Sequence, residues 1–120
     1  MTRFIRYTAV GAVATAVHYL VLVSVVELGG WPAYLGSGLG AVIGAQVAYA
    51  GNRGFTFAHR GDMRDSWPRF QATALAGALL GMAIVALGVR LGVHYLVAQV
   101  VATLSSLVLT FAINRVWTFR

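Results

Sequence analysis

The side chains able to do acid–base, nucleophilic or metal chemistry are few and scattered. Three carboxylates (Glu27, Asp62, Asp65) and three histidines (His18, His59, His94) share a chain of 120 residues that has no cysteine. Disulfides, thiol catalysis and thiolate metal sites are thereby excluded. No apolar stretch holds a pair of carboxylates, no nucleophile stands beside a base, and no His-x-x-x-His spacing offers two metal ligands. The expectation is a protein that is not an enzyme and carries neither metal nor cofactor. The cations say more. All nine basic residues are arginines, and the guanidinium fork is suited to bidentate contact with phosphate.

Two of those arginines sit in the same short sentence, written twice. Asn52-Arg53-Gly54-Phe55-Thr56-Phe57 and Asn114-Arg115-Val116-Trp117-Thr118-Phe119 share the order Asn-Arg-x-aromatic-Thr-Phe. Local physics explains the residue types: Asn can end a helix in the left-handed conformation, Arg snorkels to an interface, and aromatic rings settle at headgroup level. It does not explain why the order recurs. The expectation is that Arg53 and Arg115 form a pseudo-symmetric pair that binds an anionic phosphate, with the Asn52 and Asn114 amides helping to orient it.

A second group of polar residues lies inside apolar runs. His18 shares a helical face with Thr8, Gly11 and Thr15, because offsets of 3, 7 and 10 stay within about 80° of arc at 100° per residue. An ionisable group at such a depth faces a bundle interior or a cavity and suggests function. The alternative is a neutral imidazole hydrogen-bonded across helices. Gln99, Thr103, Ser106 and Thr110 form a stripe that either bonds between helices or lines a groove for a polar headgroup. Gln46 shares a face with Tyr49 and Arg53. His18, Thr15, Gln46, Gln99 and Thr103 are the candidate headgroup path.

The elements that must position these residues are read from hydropathy. The chain is 59% hydrophobic and only 10% charged, with mean hydropathy +0.78, against about 25% charged for a soluble domain. Apolar runs at residues 7–28, 33–51, 70–89 and 93–113 each have the length of a membrane-crossing helix, for which about 20 residues are needed. Backbone groups in lipid must be satisfied within the segment, so the spans are helical. The first run follows Arg3 and Arg6 as a secretory signal would, but it exceeds the usual 7–15 residues of a signal's apolar core, so it reads as a retained span. Four spans put eight of the nine arginines on one side, leaving Arg90 and Glu27 on the other. Arg-rich short loops stay in the cytoplasm. The net charge of +6 therefore points to an anionic membrane surface and not to nucleic acid.

The chain also repeats itself. Arg3-Phe4 and Gly11 return as Arg69-Phe70 and Gly77 at an offset of 66, and the two closures are offset by 62. Two spans per repeat give both halves the same orientation, related by an axis along the membrane normal. The expected fold is an all-α integral membrane protein of one domain. Its four transmembrane helices form two tandem two-helix repeats, residues 3–57 and 69–119 around a cytoplasmic loop at 58–68, with both termini inside. Small-residue ridges (Gly36, Gly40, Gly44 and Ala48; Gly77 and Gly81; Ala98, Ala102, Ser106 and Thr110) let helices approach closely. They serve packing within one bundle or contact between subunits.

The opening Arg-Phe-x-Arg-Tyr-x-x-Val-Gly at residues 3–11, Thr15, and both Asn-Arg closures with Arg69-Phe70 between them resemble the GtrA-like family of small four-helix membrane proteins. The resemblance runs from Arg3 to Phe119. It implies translocation of a polyprenyl-phosphate-linked sugar across the cytoplasmic membrane, as a flippase or flippase subunit, for cell-surface polysaccharide synthesis. The partners implied are that sugar lipid, the surrounding membrane lipids and a membrane glycosyltransferase. A scaffold that recruits the glycosyltransferase without transporting is the alternative. Many members read Gly-x-x-Asn-Thr followed by an acidic residue in the first span, where this chain has Ala14, Thr15 and His18. The missing carboxylate argues against a proton-coupled exporter of small cations. Four helices so rich in small residues enclose little volume, which predicts a homo-oligomer, a dimer in the simplest case.

Overall fold

The computed structural model describes residues 2–51 and 63–113. They form four helices, α1 (Thr2–Glu27), α2 (Ala33–Gly51), α3 (Met63–Arg90) and α4 (Tyr95–Ile113). The bundle measures 45 × 25 × 25 Å, and α3, the longest helix at 28 residues, accounts for about 42 Å at 1.5 Å per residue. Among the described residues there is no strand. The protein is an all-α membrane protein.

Three helical stretches are each long and apolar enough to cross a membrane on their own: Thr8–Glu27, Trp67–Arg90 and Tyr95–Ile113. The remaining helix, α2, is diluted by Gly36, Gly38, Gly40, Gly44 and Gln46. Its 19 residues still extend about 28 Å, close to the ~30 Å of a hydrocarbon core. It is packed between α1 and α3, so it crosses alongside them.

Both short turns are set by glycine. Gly30 and Gly92 have φ of 68° and 89°, values that cost other residues dearly. At the second turn Val93 N–H donates to the Gly88 carbonyl at 2.9 Å and Gly92 N–H to the Val89 carbonyl at 3.0 Å, the paired bonds of a Schellman stop. His94 then starts α4: its Nδ1 accepts the Leu96 N–H at 3.1 Å, satisfying one of the orphan donors at the helix start. Glu27 and the first residue of α4 join the two turns, Tyr95 OH donating to Glu27 Oε1 at 2.8 Å.

The bounds of α2 fall where hydropathy predicts them. Those of α3 do not. Residues 63–68, expected in a loop, are helical, and Pro68 lies inside the helix. Hydropathy marks where lipid begins, not where the helix begins. A proline this near the helix start costs one bond, from its missing N–H to the residue-64 carbonyl.

Helices pack in chain order, α1 on α2, α2 on α3 and α3 on α4. A Cβ added at Gly36, Gly40 or Gly44 would meet Leu22, His18 or Ala14 in turn, the descending register of an antiparallel pair. Gly88, Gly81 and Gly77 meet Ala98, Ser106 and Thr110 in the same way. Leu22 and Val85 are fully buried, and Val85, Ala98 and Ala102 form a small core. Leu20, Leu104, Val108 and Phe111 point outward, where an apolar side chain costs nothing if the surroundings are lipid. One end of the bundle thus carries both short turns, and the other carries the start of α1 and the end of α4.

Candidate functional site

A cavity of about 290 Å³ lies at the centre of the bundle, with walls from all four helices. Glycine and alanine ridges create it: Ala41, Gly44, Ala45, Ala78 and Gly81 leave room where larger side chains would have filled the axis. Polar groups are set into those small walls. Thr15 and His18 come from α1, Ser37 from α2, Thr73 from α3, and Gln99, Thr103, Ser106 and Thr110 from α4. Among the described residues that line it there is no arginine and no carboxylate.

The mouth of the cavity lies between the first and last helices. Its exposed lining residues are Gly11 and Thr15 of α1 and Leu107 of α4. These two helices meet through side chains: Tyr19 OH lies 2.8 Å from Thr103 Oγ1 and 3.4 Å from the Gln99 carbonyl, with Tyr95 on Glu27 beyond. Those bonds fasten the half nearer the turns. Toward the chain termini, Thr15 and Leu107 are exposed.

Most of the polar groups have protein partners. Gln99 Nε2 donates to Thr103 Oγ1 at 3.1 Å, and Ser106 OH donates to the Gly77 carbonyl at 2.9 Å. Thr73 OH turns back on the Arg69 carbonyl at 2.8 Å. Two atoms are exceptions. Gln99 Oε1 and His18 Nε2 are buried without a hydrogen-bond partner in the protein. Gln99 is 1% exposed, and an unmet buried acceptor costs about 1–3 kcal/mol. His18 fits its place because Gly40 lacks a side chain: a Cβ there would stand 2.6 Å from the imidazole Cδ2 and 2.5 Å from the His18 carbonyl.

Four of the five residues expected along a headgroup path therefore meet at one cavity: Thr15, His18, Gln99 and Thr103. Gln46 does not line it. Its amide faces α3 and exchanges two hydrogen bonds with Gln71, at 2.6 Å and 3.1 Å, one turn from the ring contact of Tyr49 and Phe70. Arg53, Arg115, Asn52 and Asn114 lie outside the described residues, as does the whole of both closures. Sequence reasoning missed Tyr19, Ser37 and Thr73. Ser37 carried a usable signal, since it stands 62 positions before Gln99, the offset of the two closures. Tyr19 carried none, because a face computed from spacing alone puts it beside His18 and not on it. Among the described residues no three of His, Cys, Asp and Glu gather where they could hold a metal.

The sequence model described as GtrA/DPMS, transmembrane domain, matches residues 6–120 of the chain. Comparison with curated proteins and with solved structures gives no match.

Proposed function

We propose, from the premise that this chain belongs to the GtrA/DPMS transmembrane-domain family, that it carries the head of a polyprenyl-phosphate-linked sugar across the membrane. It acts as the flippase itself or as a flippase subunit, in the service of cell-surface polysaccharide synthesis. The observation that carries this reading is a polar-walled cleft within an otherwise apolar bundle, open sideways between α1 and α4.

Burying an unpaired polar head in hydrocarbon is the costly step of such a transfer. A cleft with Thr15, His18, Gln99 and Thr103 along it lowers that cost by offering hydrogen bonds at mid-depth. The seam lets the prenyl chain stay in lipid while the head passes inside. In this reading the termini and the loop joining α2 to α3 face the cytoplasm, the side with eight of nine arginines, in the plasma membrane of the cell. Arg53 and Arg115, with Asn52 and Asn114, receive the phosphate at that face. The tandem halves are related by an axis along the membrane normal. A homodimer belongs to the same proposal, since the central cavity of one chain holds only about 290 Å³. Native mass spectrometry finding monomers alone in mild detergent would count against that part.

The test is reconstitution into liposomes with a labelled polyprenyl-phosphate hexose, followed by a membrane-impermeant oxidant of sugar diols. Inner-leaflet sugar should lose its protection with time in vesicles that contain the protein. Protection as lasting as in protein-free vesicles would sink the transport reading. Co-purification with a glycosyltransferase would then favour the scaffold.

A further inference from the structure

We infer that the deep end of the cleft recognises the hydroxyl groups of a single uncharged sugar ring, with Gln99 Oε1 accepting from one hydroxyl and His18 Nε2 holding another. This rests on the sugar-lipid reading above and adds to it which part of the lipid the cavity reads.

Proton counting agrees with the orientation of the amide. Tyr19 has one hydroxyl proton, and when it goes to the Gln99 carbonyl the Tyr19–Thr103 bond must be donated by Thr103. With its proton given to Tyr19, Thr103 Oγ1 can only accept in its remaining bond, which suits the Gln99 Nε2–H that reaches it. Gln99 is held with its amide nitrogen on Thr103 and its oxygen left over. That oxygen is the unmet acceptor, on a side chain 1% exposed, and it lines the same cavity as the unmet His18 nitrogen.

The chemistry of a matching guest follows. A bare amide oxygen asks for an O–H or N–H donor and repels an anion, so phosphate belongs elsewhere. A cation would find no carboxylate among the described lining residues. A neutral polyol supplies donors to Gln99 and either a donor or an acceptor to His18. Alanine and glycine walls such as Ala41, Ala78 and Gly81 offer flat apolar surface to the C–H face of a ring. At about 290 Å³ the cavity stands at the small end of ligand pockets, which run from about 300 to 1,000 Å³. One ring fits that space; an oligosaccharide does not.

The experiment compares two probes on the full chain in nanodiscs, polyprenyl phosphate and its glucosyl ester, by native mass spectrometry. The wild-type chain should bind the glucosyl lipid about tenfold more tightly, the return on one newly satisfied buried acceptor. In Gln99→Met, of similar volume without the amide, the ratio of the two affinities should fall to about one. The thermal midpoint of the variant in detergent establishes that it is folded, and the wild-type ratio stands without any variant. Equal binding of both probes by the wild-type chain would mean that only water occupies the cavity, which overturns the inference and leaves the transport reading in place. A ratio that survives in Gln99→Met also overturns it. If neither lipid binds, both readings fall together.

Discussion

In the α1–α2 pair Gly40 and Gly44 stand on the second helix and meet main-chain oxygens first; in the α3–α4 pair the glycines stand on the first helix and face side chains. Gly40 would place a Cβ 2.5 Å from the His18 carbonyl oxygen, and Gly44 one 2.9 Å from that of Ala14. Gly77 instead faces the Thr110 methyl at 2.9 Å, and Gly81 finds Ser106 Oγ at 3.5 Å. The two pairs nonetheless meet in one register. Leu22 opposite Gly36 and Gly88 opposite Ala98 are positions related by the offsets of 66 and 62. The lesson is that register and means of closure are separable. Backbone against backbone leaves nothing that can rotate away. Small side chains against glycine can adjust, and they add a hydrogen bond from Ser106 to Gly77.

Substitutions along the two seams would break or sharpen this contrast. Gly40→Ala should have the largest effect, a loss of about 1–3 kcal/mol from overpacking a site that cannot yield. Chemical unfolding in mixed micelles reads it, and no change at His18 should restore it in full, because a main-chain oxygen stands 2.5 Å away beside the imidazole Cδ2 at 2.6 Å. Gly77→Ala should cost about 1 kcal/mol, and Thr110→Ser in the same chain should recover most of that by removing the methyl. A double-mutant cycle without coupling would erase the distinction between the pairs. Ser106→Ala should cost about 0.6 kcal/mol, the mean for hydrogen bonds between membrane helices. Gly81→Ala should fall within about 0.5 kcal/mol of neutral, since its Cβ meets ordinary contacts at 3.5–3.8 Å. An effect there as large as at Gly40 would mean that both seams are equally rigid.

What the sequence disclosed follows the same division. The ends of α2 were legible because Trp31-Pro32 precedes it and polarity follows it. The start of α3 was not, because Arg64, Asp65 and Pro68 read as loop while the helix runs through them. The face of Thr15 and His18 was legible from spacing, and the stripe of Gln99 and Thr103 likewise. Their meeting at one cavity depends on how two pairs dock, and no periodicity along a single helix encodes that. The displacement of Gln46 to the outside has the same origin. Its partner Gln71 is on another helix, and only the antiparallel docking of α2 on α3 brings the two amides together.

That pair of amides also bears on how the sequence can change over time. Gln46 and Gln71 each supply the donor and the acceptor that the other needs, so removing one strands a polar group beside hydrocarbon. Neither position is free to drift alone. Among descendants of a common ancestor the two sites should be inherited as a unit, both amides or both apolar, and lineages with a single glutamine should be rare.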